Sequence, residues 1–178
     1  MAIRPILTAE NPVLRQKSKK VTVFNESLQR LVDDLFDTLH SAPGVGLAAP
    51  QIGVLQRVFV AELPAEYDEE GNEVEPAAPY VVINPEFVKM HGEEEMEEGC
   101  LSIPGYRGLV KRATSVIVKG QDVKGRAVRW RAYDYLAQVF QHESDHLDGV
   151  LYIDRIEGPG KLWTIPVGEE ETEAVGGE

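Results

Sequence analysis

Between Asn25 and Leu39 the apolar residues recur at helical spacing. Leu28, Leu31, Val32, Leu35, Phe36 and Leu39 fall on one stripe, with polar residues on the opposite face. Asn25 stands where an N-cap belongs, and Pro43-Gly44 ends the pattern. A second helical pattern starts near Asp134 as cap. Leu136, Val139, Phe140 and Leu147 supply its apolar face, and Gly149 follows as a terminating glycine. Asn11-Pro12-Val13-Leu14-Arg15 predicts a cap, a proline at the first helical position and a short turn. The runs 57–61, 80–85, 115–119 and 127–130 read as strands, the last two paired across a turn near Asp122 to Gly125. Leu162 to Pro166 reads as a final edge strand, and the N-terminal residues to Leu7 as a strand entering the fold directly. Residues 62–79 are acidic and broken by proline and glycine, which predicts an exposed loop or hairpin tip. The result is an α+β fold: mostly antiparallel strands packed around a C-terminal helix, with a second long helix near the N-terminus.

A chain of 178 residues without internal repeats is most simply one domain. We place that domain at residues 1–168 and expect the acidic tail, 169–178, to be disordered. Acidic residues outnumber basic ones 30 to 18, giving a net charge of −12, which argues against general nucleic-acid binding. No apolar run approaches the ~20 residues of a membrane helix, and the N-terminus lacks the apolar core of a signal peptide. These features place the protein in a bacterial-type cytoplasm, with no membrane partner expected. The sequence leaves the oligomeric state open.

The second helix carries His142-Glu143-Ser144-Asp145-His146. Two histidines four residues apart share one helical face, with Cβ atoms roughly 5–6 Å apart, close enough to grip one metal ion. Glu143 flanks the same face and can serve as a general base for metal-assisted hydrolysis. This makes the C-terminal helix the metal-binding one.

A catalytic site of this kind takes three protein ligands and keeps one position open. No histidine follows His146, and the downstream acids are Asp148, Asp154, Glu157 and the tail cluster. Upstream, the single cysteine, Cys100, lies in Glu98-Gly99-Cys100-Leu101-Ser102. It reads either as a soft ligand beside a glycine or as a small buried hydrophobe. Two further readings follow: a zinc peptidase whose third ligand is a downstream acid, and a metal-stabilised binding module with a closed four-ligand site.

Three segments in order, 44–51 (Gly-Val-Gly-Leu-Ala-Ala-Pro-Gln), 98–102 (Glu-Gly-Cys-Leu-Ser) and 141–146 (Gln-His-Glu-Ser-Asp-His), resemble the three motifs of the peptide deformylases. Asn84-Pro85 and Ile103-Pro104 fit the same pattern, and the similarity runs from about residue 3 to about 156. The resemblance implies a metal-dependent hydrolase that removes the N-formyl group from formylmethionyl nascent peptides at the ribosome exit, releasing formate. It implies Cys100, His142 and His146 as ligands of one divalent ion, Fe²⁺ in the cell, replaceable by Zn²⁺, Ni²⁺ or Co²⁺. Glu143 matches the general acid/base, and Gln51 and the backbone N–H of Leu101 match the donors to the developing oxyanion. Gly44 and Gly46 let backbone approach an extended peptide. By position, Val45, Met96, Glu98, Gly99, Tyr135, Gln138 and Val139 fall near the methionine side chain, and Arg107 at the cleft mouth. Gln138 stands where an apolar residue is expected, and Asp145 is part of the motif without an assigned partner.

Overall fold

A computed structural model describes residues 2–166 of the chain. Ten strands and two α-helices follow one another in the order β1 (Gly46–Ala48), β2 (Val58–Leu63), β3 (Glu66–Tyr67), β4 (Glu73–Glu75), β5 (Ala78–His91), β6 (Glu94–Cys100), β7 (Ile103–Arg112), β8 (Ser115–Gln121), β9 (Ala127–Tyr133) and β10 (Leu162–Thr164), with α1 (Glu26–His40) ahead of β1 and α2 (Asp134–Leu147) after β9. Every strand pair is antiparallel. A five-stranded sheet runs β1-β2-β5-β8-β9, a three-stranded sheet runs β10-β7-β6, and β3 with β4 forms a small exposed hairpin within the 62–79 segment. The fold is α+β, as the hydrophobic pattern predicts.

The large sheet is covered by a helix on each face. Val58, Val60 and Ile83 pack with Leu28, Leu31, Val32, Leu35 and Leu39 of α1. Phe59, Val82, Val116, Val118 and Ala132 pack with Ala137, Phe140 and Leu147 of α2. This explains the unbroken apolar run in β2. Side chains alternate across a strand, and here both directions lead into a core. Phe140 sits at the centre of an aromatic cluster, edge-on to Phe59, Tyr80 and Trp130.

The two helices begin differently. Asn25 caps α1 as its sequence predicts, its side chain accepting from the Leu28 N–H at 3.2 Å. For α2 the cap is Tyr133, not Asp134. Asp134 is already in the first turn, at φ +49°, and its N–H is committed to the Thr114 carbonyl at 2.8 Å. The chain runs straight from β9 into the helix, and that bond fixes the corner. Gly149, at φ +74°, lies just past the α2 C-cap as expected, pressed so close to the Arg15 carbonyl that a Cβ would stand 2.6 Å from it.

Two other expectations are corrected. The N-terminal residues form no strand. The chain is instead tied singly, by Ala2 N–H to Asp34 Oδ1 (2.7 Å), Arg4 N–H to Thr38 Oγ1 (2.9 Å) and Leu7 N–H to the Gln51 carbonyl (2.8 Å). Residues 94–112, for which the hydrophobic pattern predicts no element, form the β6–β7 hairpin with Leu101 and Ser102 at its turn. The expected domain end at residue 168 and the tail 169–178 lie outside the described residues. No helix among the described residues is long and apolar enough to cross a membrane.

Candidate active site

The β6–β7 turn brings Cys100 to the face of α2 that carries the two histidines. The Cys100 sulfur and one ring nitrogen from each of His142 and His146 all lie within 4.8 Å of one another, and this is the one such cluster of histidine, cysteine and acidic donors found among the described residues. His146 presents Nε2 to Cys100 Sγ at 3.4 Å. His142 has its Nδ1 against Glu98 Oε1 at 2.7 Å, which leaves Nε2 on the side of the cluster. The imidazoles stand edge to face, with centroids 5.1 Å apart, and Tyr152 stacks on the outer face of His142.

The donor set suits a metal. A thiolate and two imidazoles form a three-ligand, borderline-soft set of the kind that holds Zn²⁺ or Fe²⁺ and leaves a position open. Burial and the neighbouring His142 charge hold His146 well below its usual pKa, so its ring stays neutral with a lone pair to give. Burial would lower His142 too, but Cys100 and Glu98 raise it well above its usual value. A cation held by Cys100, His142 and His146 would take the place of that proton. Among the described residues, the acids weighed as a third ligand are engaged elsewhere: Asp148 with Arg57 (2.9 Å), Asp154 with Arg15 (2.5 Å) and Glu157 with Lys111 (3.1 Å).

Glu143 is buried, and its Oε1 lies 3.9 Å from His142 Nε2. Its Oε2 has no hydrogen-bond partner among the described residues. Burial pushes this carboxyl up to about 7; Glu98 adds to the push, and His142 opposes it. A carboxyl at that level, aimed at the cluster with one oxygen unpaired, is equipped to take and return a proton near neutrality. Gly46 holds it from the other side. A Cβ on Gly46 would stand 2.8 Å from Glu143 Oε1 and 2.9 Å from its Cγ. The glycine is there because β1 and the carboxylate meet without room for a side chain. Gly44 meets Leu101 in the same way, with 2.9 Å from a virtual Cβ to Leu101 Cδ1.

Gln51 is buried in the turn after β1. Its Oε1 accepts from the Ala48 N–H at 2.9 Å, and its Nε2 donates to Ser102 Oγ at 3.1 Å and points at Cys100 Sγ, 3.7 Å away. The acceptor end is thus tied to its own loop, and the donor end faces the cluster. Arg107 lies across Gly99, its Nε 3.4 Å from a virtual Cβ there. Tyr135 is exposed, Val45 and Met96 are half-buried, and Val139 is buried.

Two residues assigned by position to the methionine pocket are placed differently. Glu98 does not line a cleft: its side chain is only 3% exposed, behind His142. Arg112 grips it at two points, Nε to Oε2 at 2.6 Å and Nη2 to Oε1 at 2.8 Å, and these charges with His142 hold its pKa at about 2 against the opposing effect of burial. Gln138 spends its amide on the fold, donating to the Glu97 carbonyl at 2.7 Å and so fixing β6 to α2. Gln141 does the same for the β7–β8 connection, accepting from the Ala113 N–H and donating to the Ala113 carbonyl, each at 2.9 Å.

Sequence reasoning missed Arg112, which is buried between Glu98 and Asp145. A signal was present. Gly108, Val110 and Arg112 share the inward phase of β7, so an arginine stands where the alternation calls for an apolar residue. Asp145 now has partners in Arg112 and Arg155.

A family model described as polypeptide deformylase matches residues 3–161. The chain is 49% identical over 172 residues to a peptide deformylase of Thermomicrobium roseum, covering 97% of this chain and 96% of the relative. It is 50% identical over 157 residues to a peptide deformylase of Heliobacterium modesticaldum, covering 88% and 96%. The fold is similar to the crystal structure of a peptide deformylase from Legionella pneumophila, with a TM-score of 0.78 at 42% identity over 97% of this chain and 91% of that one.

Proposed function

The chain belongs to the polypeptide deformylase family, and on that premise we propose that Cys100, His142 and His146 hold one divalent ion around which Glu143, Gln51 and Leu101 act. The activity is that of the family: metal-dependent hydrolysis of the N-formyl group from nascent polypeptides, with release of formate. The observation that carries the site assignment is the meeting of Cys100 from β6 with two histidines of α2 within 4.8 Å, beside the buried Glu143 of the same helix.

When bound, the ion supplies Lewis-acid polarisation of the formyl carbonyl and lowers the pKa of water. Glu143 takes a proton from the attacking water and returns it to the amine nitrogen as the C–N bond breaks. Gln51 Nε2 and the Leu101 N–H donate to the formyl oxygen as negative charge builds there. β1 is an edge strand, so its side away from β2 offers backbone groups to an extended peptide, and Gly44 and Gly46 keep that side open. Val45, Met96, Tyr135 and Val139 line the methionine subsite, with Gly99 and Arg107 at its mouth. The resident ion is Fe²⁺, with Zn²⁺, Ni²⁺ and Co²⁺ as substitutes. The enzyme works in a bacterial-type cytoplasm on chains leaving the ribosome, as a single catalytic domain through residue 168.

The test is anaerobic purification with metal analysis, then an assay on formyl-Met-Ala-Ser beside its unformylated twin. One ion per chain and formate from the formylated peptide only are expected. Unchanged metal content after Cys100→Ser and dialysis would remove Cys100 from the site.

A further inference from the structure

Five side chains form one unbroken path from solvent to a metal-binding histidine. Arg155, in the turn after α2, grips Asp145 at two points, Nε to Oδ2 at 2.7 Å and Nη2 to Oδ1 at 2.9 Å. Asp145 Oδ2 also accepts from Arg112 Nη1 at 2.8 Å. Arg112 turns its other two nitrogens to Glu98, and Glu98 Oε1 accepts from His142 Nδ1 at 2.7 Å. Side-chain exposure falls along the path, from 46% at Arg155 through 14% at Asp145 to 3% at Arg112 and Glu98.

We propose that Arg155 is a positioning residue for His142, acting through Asp145, Arg112 and Glu98 to hold the imidazole at the angle its metal-facing nitrogen needs. The proposal rests on the reading of Cys100, His142 and His146 as ligands.

A ligating imidazole is normally oriented by a partner on its second nitrogen. His142 has one; the Nδ1 of His146 is buried without a hydrogen-bond partner among the described residues. Orientation of the pair therefore falls on the Glu98 side. The charges explain why the path extends to Arg155. Glu98 and Asp145 are two carboxylates competing for one buried guanidinium. With Arg155 in place, Asp145 has its own cation, and Arg112 is free to keep a two-point grip on Glu98. Without it, Asp145 draws on Arg112 alone, the Glu98 carboxylate loosens, and His142 gains freedom to swing. An exposed arginine–aspartate bridge standing by itself contributes little to stability. This one ends at a metal ligand.

The test uses the full-length chain loaded with Co²⁺ or Zn²⁺ and follows metal release to a chromophoric chelator. Arg155→Met should release metal about 10-fold faster than wild type, the low end of the range for partners of ligating histidines, and Arg112→Met should approach about 100-fold. Arg155→Lys should fall between Arg155→Met and wild type, since an ammonium cannot reproduce a two-point grip. The visible spectrum of the Co²⁺ form should shift in Arg155→Met, a change that a merely structural role would not produce. Arg15→Met is the control, because the Arg15–Asp154 pair ties the same post-helix segment but does not lead to His142. Its release rate and spectrum should match wild type. Arg155→Met at the wild-type rate, or Arg155→Met and Arg15→Met accelerated equally, would overturn the proposal. Arg155 is exposed, so the result stands even if Arg112→Met does not fold. A wild-type chain that retains no stoichiometric metal would overturn the ligand reading itself.

Discussion

The two helices cover opposite faces of one sheet and are almost equal in length, yet they are built on different principles. The buried face of α1 is Leu28, Leu31, Val32, Leu35 and Leu39, joined by Asp34 and Thr38, which anchor the N-terminal segment. The buried face of α2 includes Gln138, Gln141, Glu143, Ser144 and His146. The first helix is held by removing apolar area from water; the second shares that with Ala137, Phe140 and Leu147 but also buries a set of polar groups. Polar atoms buried for chemistry weaken the apolar attachment of the helix that carries them. Gln138 and Gln141 offset this by bonding to the backbone of the elements beside α2. The scaffold and the reactive groups are therefore separable by mutation.

The sharpest break between them is expected at Glu143. Glu143→Gln keeps the side-chain volume and removes the base, so turnover should fall by about 10²–10⁴-fold with metal content and melting temperature near wild type. Wild-type turnover in a metal-replete sample would end the assigned role. Gln51→Leu should come next, losing about 10²–10³-fold in turnover with little change in KM. It also leaves the Ala48 N–H without its acceptor, so activity must be normalised to bound metal and read beside a melting curve. A drop in stability alone would make Gln51 a packing residue.

On the other helix the effects should reverse. Leu35 is fully buried in the α1 core, and Leu35→Ala should cost about 2–5 kcal/mol of stability with turnover per folded molecule intact. Denaturant melts and metal-normalised kinetics on one preparation decide it, and a catalytic loss without destabilisation would collapse the distinction between the helices. The smallest expected effect concerns charge on the α2 side. Burial raises the pKa of Asp154, but its bonds to Arg15 and the Leu151 N–H outweigh that and set it below the ordinary 3.8. The ionised group thus stabilises the fold above that value, and its contribution is lost as pH falls through the lowered one. Wild type and Asp154→Asn should differ by about 0.2–1 kcal/mol near neutrality, since the pair is partly exposed, and converge in acid. A gap that persists in acid would assign the difference to packing.

The same contrast decides what was legible in the sequence. α1 could be read nearly residue by residue because its inner stripe is apolar and its cap local. The histidine pair was legible because its motif is compact in sequence, whereas Cys100 joined it only through the family resemblance. What escaped was non-local pairing of charges. Arg112 and Glu98 are 14 residues apart; the β6–β7 hairpin sets Glu98 opposite Gly108 and Arg112 opposite Glu94, and the two side chains meet behind His142 by reaching along the hairpin's inner face. Position within the family pattern puts Glu98 near the methionine side chain, with nothing to show that Arg112 holds it behind His142. The β6 strand escaped for a related reason: of its inward residues Met96 and Glu98 only one is apolar, so the run of glutamates hides the alternation. Asn84 fits the family pattern but gave no hint of its φ of +53° or of the bonds its side chain makes to both backbone groups of Val21.

In β2, Val58 and Val60 belong to one core and Phe59 to the other. The strand is a party wall between two rooms. Residues adjacent in sequence answer to different neighbours, and a change of shape on one side meets the other only through the backbone they share. The room behind α1 is furnished with aliphatic residues, while the room behind α2 is closed by the helix that also carries His142, Glu143 and His146.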